Sequence, residues 1–111
     1  MLEEVEAIEN LPDLVTVPGV DVFFIGSGDL SQSMGLTGQQ AHPDVQQVME
    51  RGVKTITGAG RIAGCSCPDN LIRKFLGLGV QYFHSGVNRL LQQSSEAYLK
   101  TMRQAAADAG K

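Results

Sequence analysis

An apolar run from Val20 to Ile25 breaks off at Gly26-Ser27-Gly28, and one carboxylate, Asp29, follows at once. A continuous apolar run bounded this sharply suits a strand buried on both faces, as parallel sheets require. The two glycines let the backbone turn tightly and let a ligand come close. An acid just past the carboxyl end of such a strand lies where open α/β sheets and α/β barrels carry their chemistry. On this pattern alone Asp29 serves equally well as a ligand or as the cap of a short helix, Leu30–Met34.

The flanking chain repeats the alternation. Glu3 to Leu14 predicts a short helix with Val5, Ile8 and Leu11 on one side, ended near Asn10 by Pro12. Val17-Pro18-Gly19 turns into the first strand. Gly35 to His42 is a polar, ligand-facing loop. His42-Pro43-Asp44 then opens a helix with Val45, Val48, Met49, Val53 and Ile56 at three- and four-residue spacing, stopped at Gly58-Ala59-Gly60. A second strand covers Arg61 to Cys65, and Pro68-Asp69 opens a helix with Leu71, Ile72, Phe75 and Leu76. A third strand runs from Val80 to His84. The last helix, to about Ala107, has Leu91, Ser95, Tyr98, Met102 and Ala105 along one stripe. Three strand–helix units predict parallel strands with right-handed crossovers in one domain, residues 1–111. Three strands cannot close a barrel and leave two edges exposed, so the segmentation reads as part of a larger sheet.

Composition narrows the function. The 111 residues carry a net charge of -3 and no basic cluster with interleaved aromatics, which argues against a nucleic-acid surface. No apolar run is long enough for a bilayer, and the acidic start MLEEVEAIEN lacks the features of a secretion signal, so a cytoplasmic location is expected. Cys65 and Cys67 lack the C-x2-C spacing and further ligands of metal sites, and are expected as reduced thiols, one of them able to line a pocket.

Nucleotide motifs fail. Gly26 and Gly28 fit the start of G-x-G-x-x-G, but Ser31 takes the third position and the later acid is missing; no Walker sequence occurs. Ser27 lacks the G-x-S-x-G elbow of a nucleophile. His42 is expected at the surface, and His84 on the rim that also bears Asp29. The carboxylates hold more interest, because Mg²⁺ or Mn²⁺ takes one or two of them together with a chelating substrate. If Met1-Leu2 ends a strand, Glu3 and Asp29 occupy equivalent ends of neighbouring strands. Glu3, Glu4 and Glu6 are otherwise a solvated first helical turn favoured by the helix dipole.

Leu2-Glu3-Glu4-Val5-Glu6-Ala7-Ile8-Glu9-Asn10, Pro18-Gly19-Val20-Asp21 and Phe24-Ile25-Gly26-Ser27-Gly28-Asp29-Leu30-Ser31 together resemble the HpcH/HpaI aldolase family. Gly38-Gln39, His42-Pro43-Asp44-Val45-Gln46, Ala59-Gly60 and Ala63-Gly64 add to the likeness, which covers nearly the whole chain. The resemblance implies a class II pyruvate aldolase on a TIM barrel, here its carboxy-terminal part from the end of the fifth strand, since a full barrel takes about 250 residues. It implies Glu3 and Asp29 as ligands of a divalent metal (Mg²⁺ or Mn²⁺, with Co²⁺ an option), and the backbone of Gly28 and Asp29 as the seat of the pyruvate carboxylate. Pyruvate or another 2-keto acid and an aldehyde are the implied substrates, joined or cleaved through a pyruvate enolate. It implies no catalytic residue in this chain, because the family's histidine base and arginine fall in the other half. The family's glutamine two positions before the glutamate falls on Met1, and the common I-G-P proline is Ser27. Weak or no activity in isolation is therefore expected. The alternative is a non-catalytic α/β association module, a homo-oligomer or a half-barrel that pairs with a separate amino-terminal half.

Overall fold

Strand formation begins at Val22, because the turn before it is held from outside. Arg61 donates through Nη2 to the carbonyls of Val17 (3.1 Å) and Val20 (2.8 Å), and its guanidinium lies 5.3 Å from the centre of the Phe23 ring. In the computed structural model, which describes residues 1–111, the elements follow as α1 (Val5–Glu9), α2 (Leu11–Leu14), β1 (Val22–Ile25), α3 (Ser27–Ser33) and α4 (Pro43–Gly58). They continue as β2 (Ile62–Cys65), a 3-10 turn (Asp69–Leu71), α5 (Ile72–Gly77), β3 (Val80–Phe83) and α6 (Val87–Asp108). The strands form one parallel sheet in the order β1-β2-β3, with Val22 opposite Ile62 and Ile25 opposite Cys65. No helix is long and apolar enough to cross a membrane.

The core lies on the helix-covered face of the sheet. Phe23, Ile25, Ala63, Cys65 and Val80 meet the α4 stripe of Val45, Met49, Val53 and Ile56, with Leu11, Leu30 and Phe75 closing the sides. Gly52 in α4 is a point of close packing, since a Cβ there would come within 2.8 Å of Ile25 Cδ1. The register of β2 against β3 slips between Ala63 and Gly64, which brings Gly64 opposite Tyr82.

Several sequence expectations need correction. The first strand is two residues shorter than Val20–Ile25 and is buried on one face only: Phe23 and Ile25 are covered, while Val22 and Phe24 are half-buried. Phe24 instead meets Tyr82 and His84 edge-to-face on the open side, at ring separations of 5.9 and 6.3 Å. Helix α1 does end at Asn10, but Pro12 then seeds the extra turn α2, because proline is tolerated in a first helical turn. Helix α3 starts at Ser27, before Asp29, so Asp29 sits inside the first turn; the N-cap position is Gly26 and no side chain caps it. The stripe on α6 is present but uncovered, for no residue of that helix is buried. Val87, Leu90, Leu91, Tyr98, Leu99 and Met102 are all exposed.

Candidate metal and keto-acid site

Leu2 behaves as the last residue of a fourth parallel strand. Its N–H donates to the Phe24 carbonyl at 2.7 Å, and its own carbonyl accepts from Gly26 N–H at 2.9 Å. This single bridge carries Glu3 to the strand-end rim beside Gly26, where a Cβ would lie 3.6 Å from both Glu3 Cβ and Oε2. Val5 N–H donates to Ser33 Oγ at 3.1 Å, tying the start of α1 to the end of α3. Between these fastenings lies an open depression of about 240 Å³ lined by Glu3, Glu4, Asp29, Gln32 and Ser33. Asp29 is exposed, as is Glu4. Glu3 differs from both: its Oε2 is buried and has no hydrogen-bond partner.

A buried carboxylate oxygen without a donor is costly, and proteins seldom leave one. Carboxylates bordering one depression, among them Glu3 and Asp29 at the strand-end rim, suit a hard divalent cation that completes its shell with water and substrate oxygens. No three acidic, histidine or cysteine side chains, Glu3, Glu4 and Asp29 included, come close enough together to hold an ion by themselves. The residues present therefore fit an ion held by two carboxylates, rather than an all-protein cage.

A second, larger cavity of about 360 Å³ opens on the other side of Gly28, and only one of its lining residues is hydrophobic. Gly28, Gln40, Ser66, Cys67, His84 and Arg89 border it. Ser66 fastens its floor: Ser27 N–H donates to Ser66 Oγ at 3.1 Å, the two hydroxyls lie 3.2 Å apart, and Ser66 N–H donates to the Ile25 carbonyl. The charge of Arg89 is already matched, since it donates to Asp69 Oδ1 at 2.6 Å and to Ser85 Oγ at 3.0 Å. That guanidinium holds the Asp69 carboxyl below its ordinary range.

His84 is exposed and ends the third strand on the same rim as Gly28. His42 lies apart from both cavities and caps α4, its Nδ1 accepting from Asp44 N–H at 3.2 Å. The sequence reading overlooked Ser66, Gln40 and Arg89. Ser66 follows the second strand, so the rule that singled out Asp29 applied to it as well. Gln40 and Arg89 had no comparable signal, because a loop fold and a helix turn bring them in.

Both cysteines are free, and Cys67 lines the larger cavity. Burial, then the neighbouring Cys67, pushes the Cys65 thiol from 9.0 up to about 12; burial also raises Cys67. Alkylation needs the thiolate. Iodoacetamide at pH 8 is therefore expected to label neither thiol quickly, and Cys65 only after denaturation; fast labelling of native Cys65, read by mass spectrometry, would contradict this burial. The unfolded chain releases the Cys65 proton first. Stability from this group is thus complete below pH 9.0 and declines as the pH climbs toward about 12.

Comparison with known proteins bears on the family and the fold. The sequence profile for "HpcH/HpaI aldolase/citrate lyase" matches residues 1–92. The chain is 40% identical over 90 residues to a hydroxypyruvate/pyruvate aldolase of Cupriavidus necator, which covers 80% of this chain and 34% of that protein. It is 39% identical over 98 residues to a 4-hydroxy-2-oxo-heptane-1,7-dioate aldolase of Shigella sonnei, covering 86% of this chain and 37% of that one. Among solved structures, the citrate synthase SbnG superposes with a TM-score of 0.83 at 28% identity, over 96% of this chain and 44% of that one. An HpcH/HpaI aldolase from Desulfitobacterium hafniense gives 0.80 at 28% identity, over 91% and 40%. The chain thus spans about a third of the length of these curated relatives. Its sheet corresponds to a part of the TIM barrel of these structural neighbours, as the family resemblance implies.

Proposed function

Because the chain belongs to the HpcH/HpaI aldolase/citrate lyase family, we propose that it carries the metal-ligand and keto-acid half of a class II pyruvate aldolase site. The observation that bears most on this reading is the partnerless buried Oε2 of Glu3, beside Asp29 in one depression. Glu3 and Asp29 would hold a divalent ion, Mg²⁺, Mn²⁺ or Co²⁺. Such an ion, when bound, supplies Lewis-acid stabilisation of negative charge developing on the keto acid. The chain's own residues orient the substrate. The backbone N–H groups of Gly28 and Asp29 donate to the substrate carboxylate, and the Ser66 hydroxyl keeps that turn in place by accepting from Ser27 N–H. The chemistry supported is formation or cleavage of the carbon–carbon bond of a hydroxy-keto acid, with pyruvate or a related 2-keto acid as one partner and an aldehyde as the other.

Manganese titration tests the ligand assignment. Asp29→Ala is expected to weaken Mn²⁺ binding at least about tenfold, since removing one of two charged ligands costs more than a typical outer-shell change. Equal affinity in the two proteins, by electron paramagnetic resonance of free Mn²⁺, would remove Asp29 as a ligand.

The proton-transferring histidine and the arginine implied by the family resemblance have no counterpart assigned among residues 1–111. The 111-residue chain alone is expected to release little or no pyruvate from a hydroxy-keto acid. Robust, EDTA-sensitive release would refute that expectation and turn attention to His84 as a local acid/base.

A second reading, association, is favoured by α6, a helix of 22 residues whose large apolar side chains lie exposed from Val87 to Met102. Contiguous exposed apolar surface marks interaction sites. We expect a homo-oligomer; a compact monomer in sedimentation velocity would count against it.

A further inference from the structure

Gln46 occupies a position where a polar side chain is expensive. It is 5% exposed, lies next to the fully buried Val45, and its Oε1 is buried without a partner. A methionine or leucine of similar size would fill the same space on α4 without an unsatisfied carbonyl. What the amide accomplishes is at its other end: Nε2 donates to the Gln40 carbonyl at 2.5 Å, across six residues of chain. The segment so held is the polar loop between α3 and α4, otherwise tied by short-range bonds from Leu36, Gln39 and His42 N–H groups. Its consequence appears at Gly28. Apart from its chain neighbours and the backbone of its own helix, the one heavy atom within 4 Å of where a Cβ on Gly28 would stand is Gln40 Nε2, at 3.9 Å. Gly28 and Gln40 border the same open cavity.

We propose that Gln40 is a specificity-determining residue of the keto-acid site, presenting its side-chain N–H donors to the substrate carboxylate beside Gly28, and that Gln46 is the residue that positions it. This rests on the reading of Gly28 and Asp29 as the carboxylate seat. The ligand class is a 2-keto acid, which the amide recognises through its carboxylate oxygens; a neutral ketone of the same size lacks them. Gln46 acts on the loop backbone and touches no substrate.

The test is pyruvate binding to the full 111-residue chain in the presence of Mn²⁺, by isothermal calorimetry, with Mn²⁺ affinity measured separately. Gln40→Ala is expected to weaken pyruvate binding about fivefold, the loss of a hydrogen bond to a charged group. Gln40→Glu sets a like charge against the carboxylate and is expected to weaken it about twentyfold. Gln46→Met, which keeps the volume and removes the donor, is expected to resemble Gln40→Ala. Gln40→Ala and Gln46→Met are expected to leave Mn²⁺ affinity unchanged. A merely structural role would not order alanine above glutamate, nor separate pyruvate from metal. Pyruvate affinity equal to wild type in both Gln40 variants overturns this proposal and leaves the site reading standing. Wild type that binds neither Mn²⁺ nor pyruvate overturns the site reading, and this proposal with it. Should Gln46→Met fail to fold, the two Gln40 variants, on an exposed loop, still decide the matter.

Discussion

Phe75→Ala is expected to destabilise the chain by about 3–5 kcal/mol, the cost of emptying a fully buried aromatic site. Phe75 is 0% exposed and heads the largest fully buried side chains. It is the one buried residue of α5, a helix of six residues that packs on β3. Small domains hold only about 5–15 kcal/mol in total, so the loss is a large share, and α5 has no second anchor of comparable size. Urea unfolding measures it, with a lowered midpoint at unchanged slope. Leu76→Ala, one residue along and 55% exposed, is the control; a surface change of this kind is expected to cost less than about 0.5 kcal/mol. Equal losses in the two variants would mean that α5 does not pack on the sheet as described.

Gly64→Val is expected to cost about 3 kcal/mol, the upper end for overpacking. A Cβ at Gly64 would stand 2.8 Å from Phe24 Cδ2 and 3.1 Å from the Tyr82 carbonyl oxygen. A ring can turn away, but the carbonyl belongs to the neighbouring strand and cannot move without disturbing the β2–β3 pairing. The disturbance also reaches the rim, because Ser66 lies two residues on and receives the Ser27 N–H. Loss of stability together with weakened pyruvate binding is therefore the expected pair. Wild-type stability in this variant, by thermal melting, would show that the strands do not approach so closely.

Much of the fold was legible because periodicity reports burial directly. Val45, Met49, Val53 and Ile56 recur every three or four residues, and each is fully buried in α4. The strand–turn–acid pattern located the rim just as well, since a glycine-bounded apolar run ends where a parallel strand must. What stayed hidden were one-sided burial and contacts across loops. Phe24 and Tyr82 look like core residues in sequence, yet they lie on the face of the sheet away from α4. Their neighbours there are each other, Gly64 and, for Phe24, His84, a matter of register. Gln46 reads as a polar residue on a helix; only the folded loop shows that its amide is buried and holds Gln40.

The chain by itself determined the order of its elements, the parallel sense of its strands and the placing of Asp29 beyond the end of β1. These follow from local spacing, from glycine and proline at the turns, and from the chirality of strand–helix–strand connections. Only the tertiary structure supplies the bridge that sets Glu3 on the same rim as Asp29, a pairing that the sequence left conditional on Met1-Leu2 ending a strand. Twenty-five residues separate them, and their shared depression depends on one parallel bridge, Leu2 to Ile25, that no periodicity can announce. It also decided where Asp29 sits in α3. With Gly26 at the N-cap, Asp29 is not spent on capping α3 and instead lines the depression that Glu3 also borders.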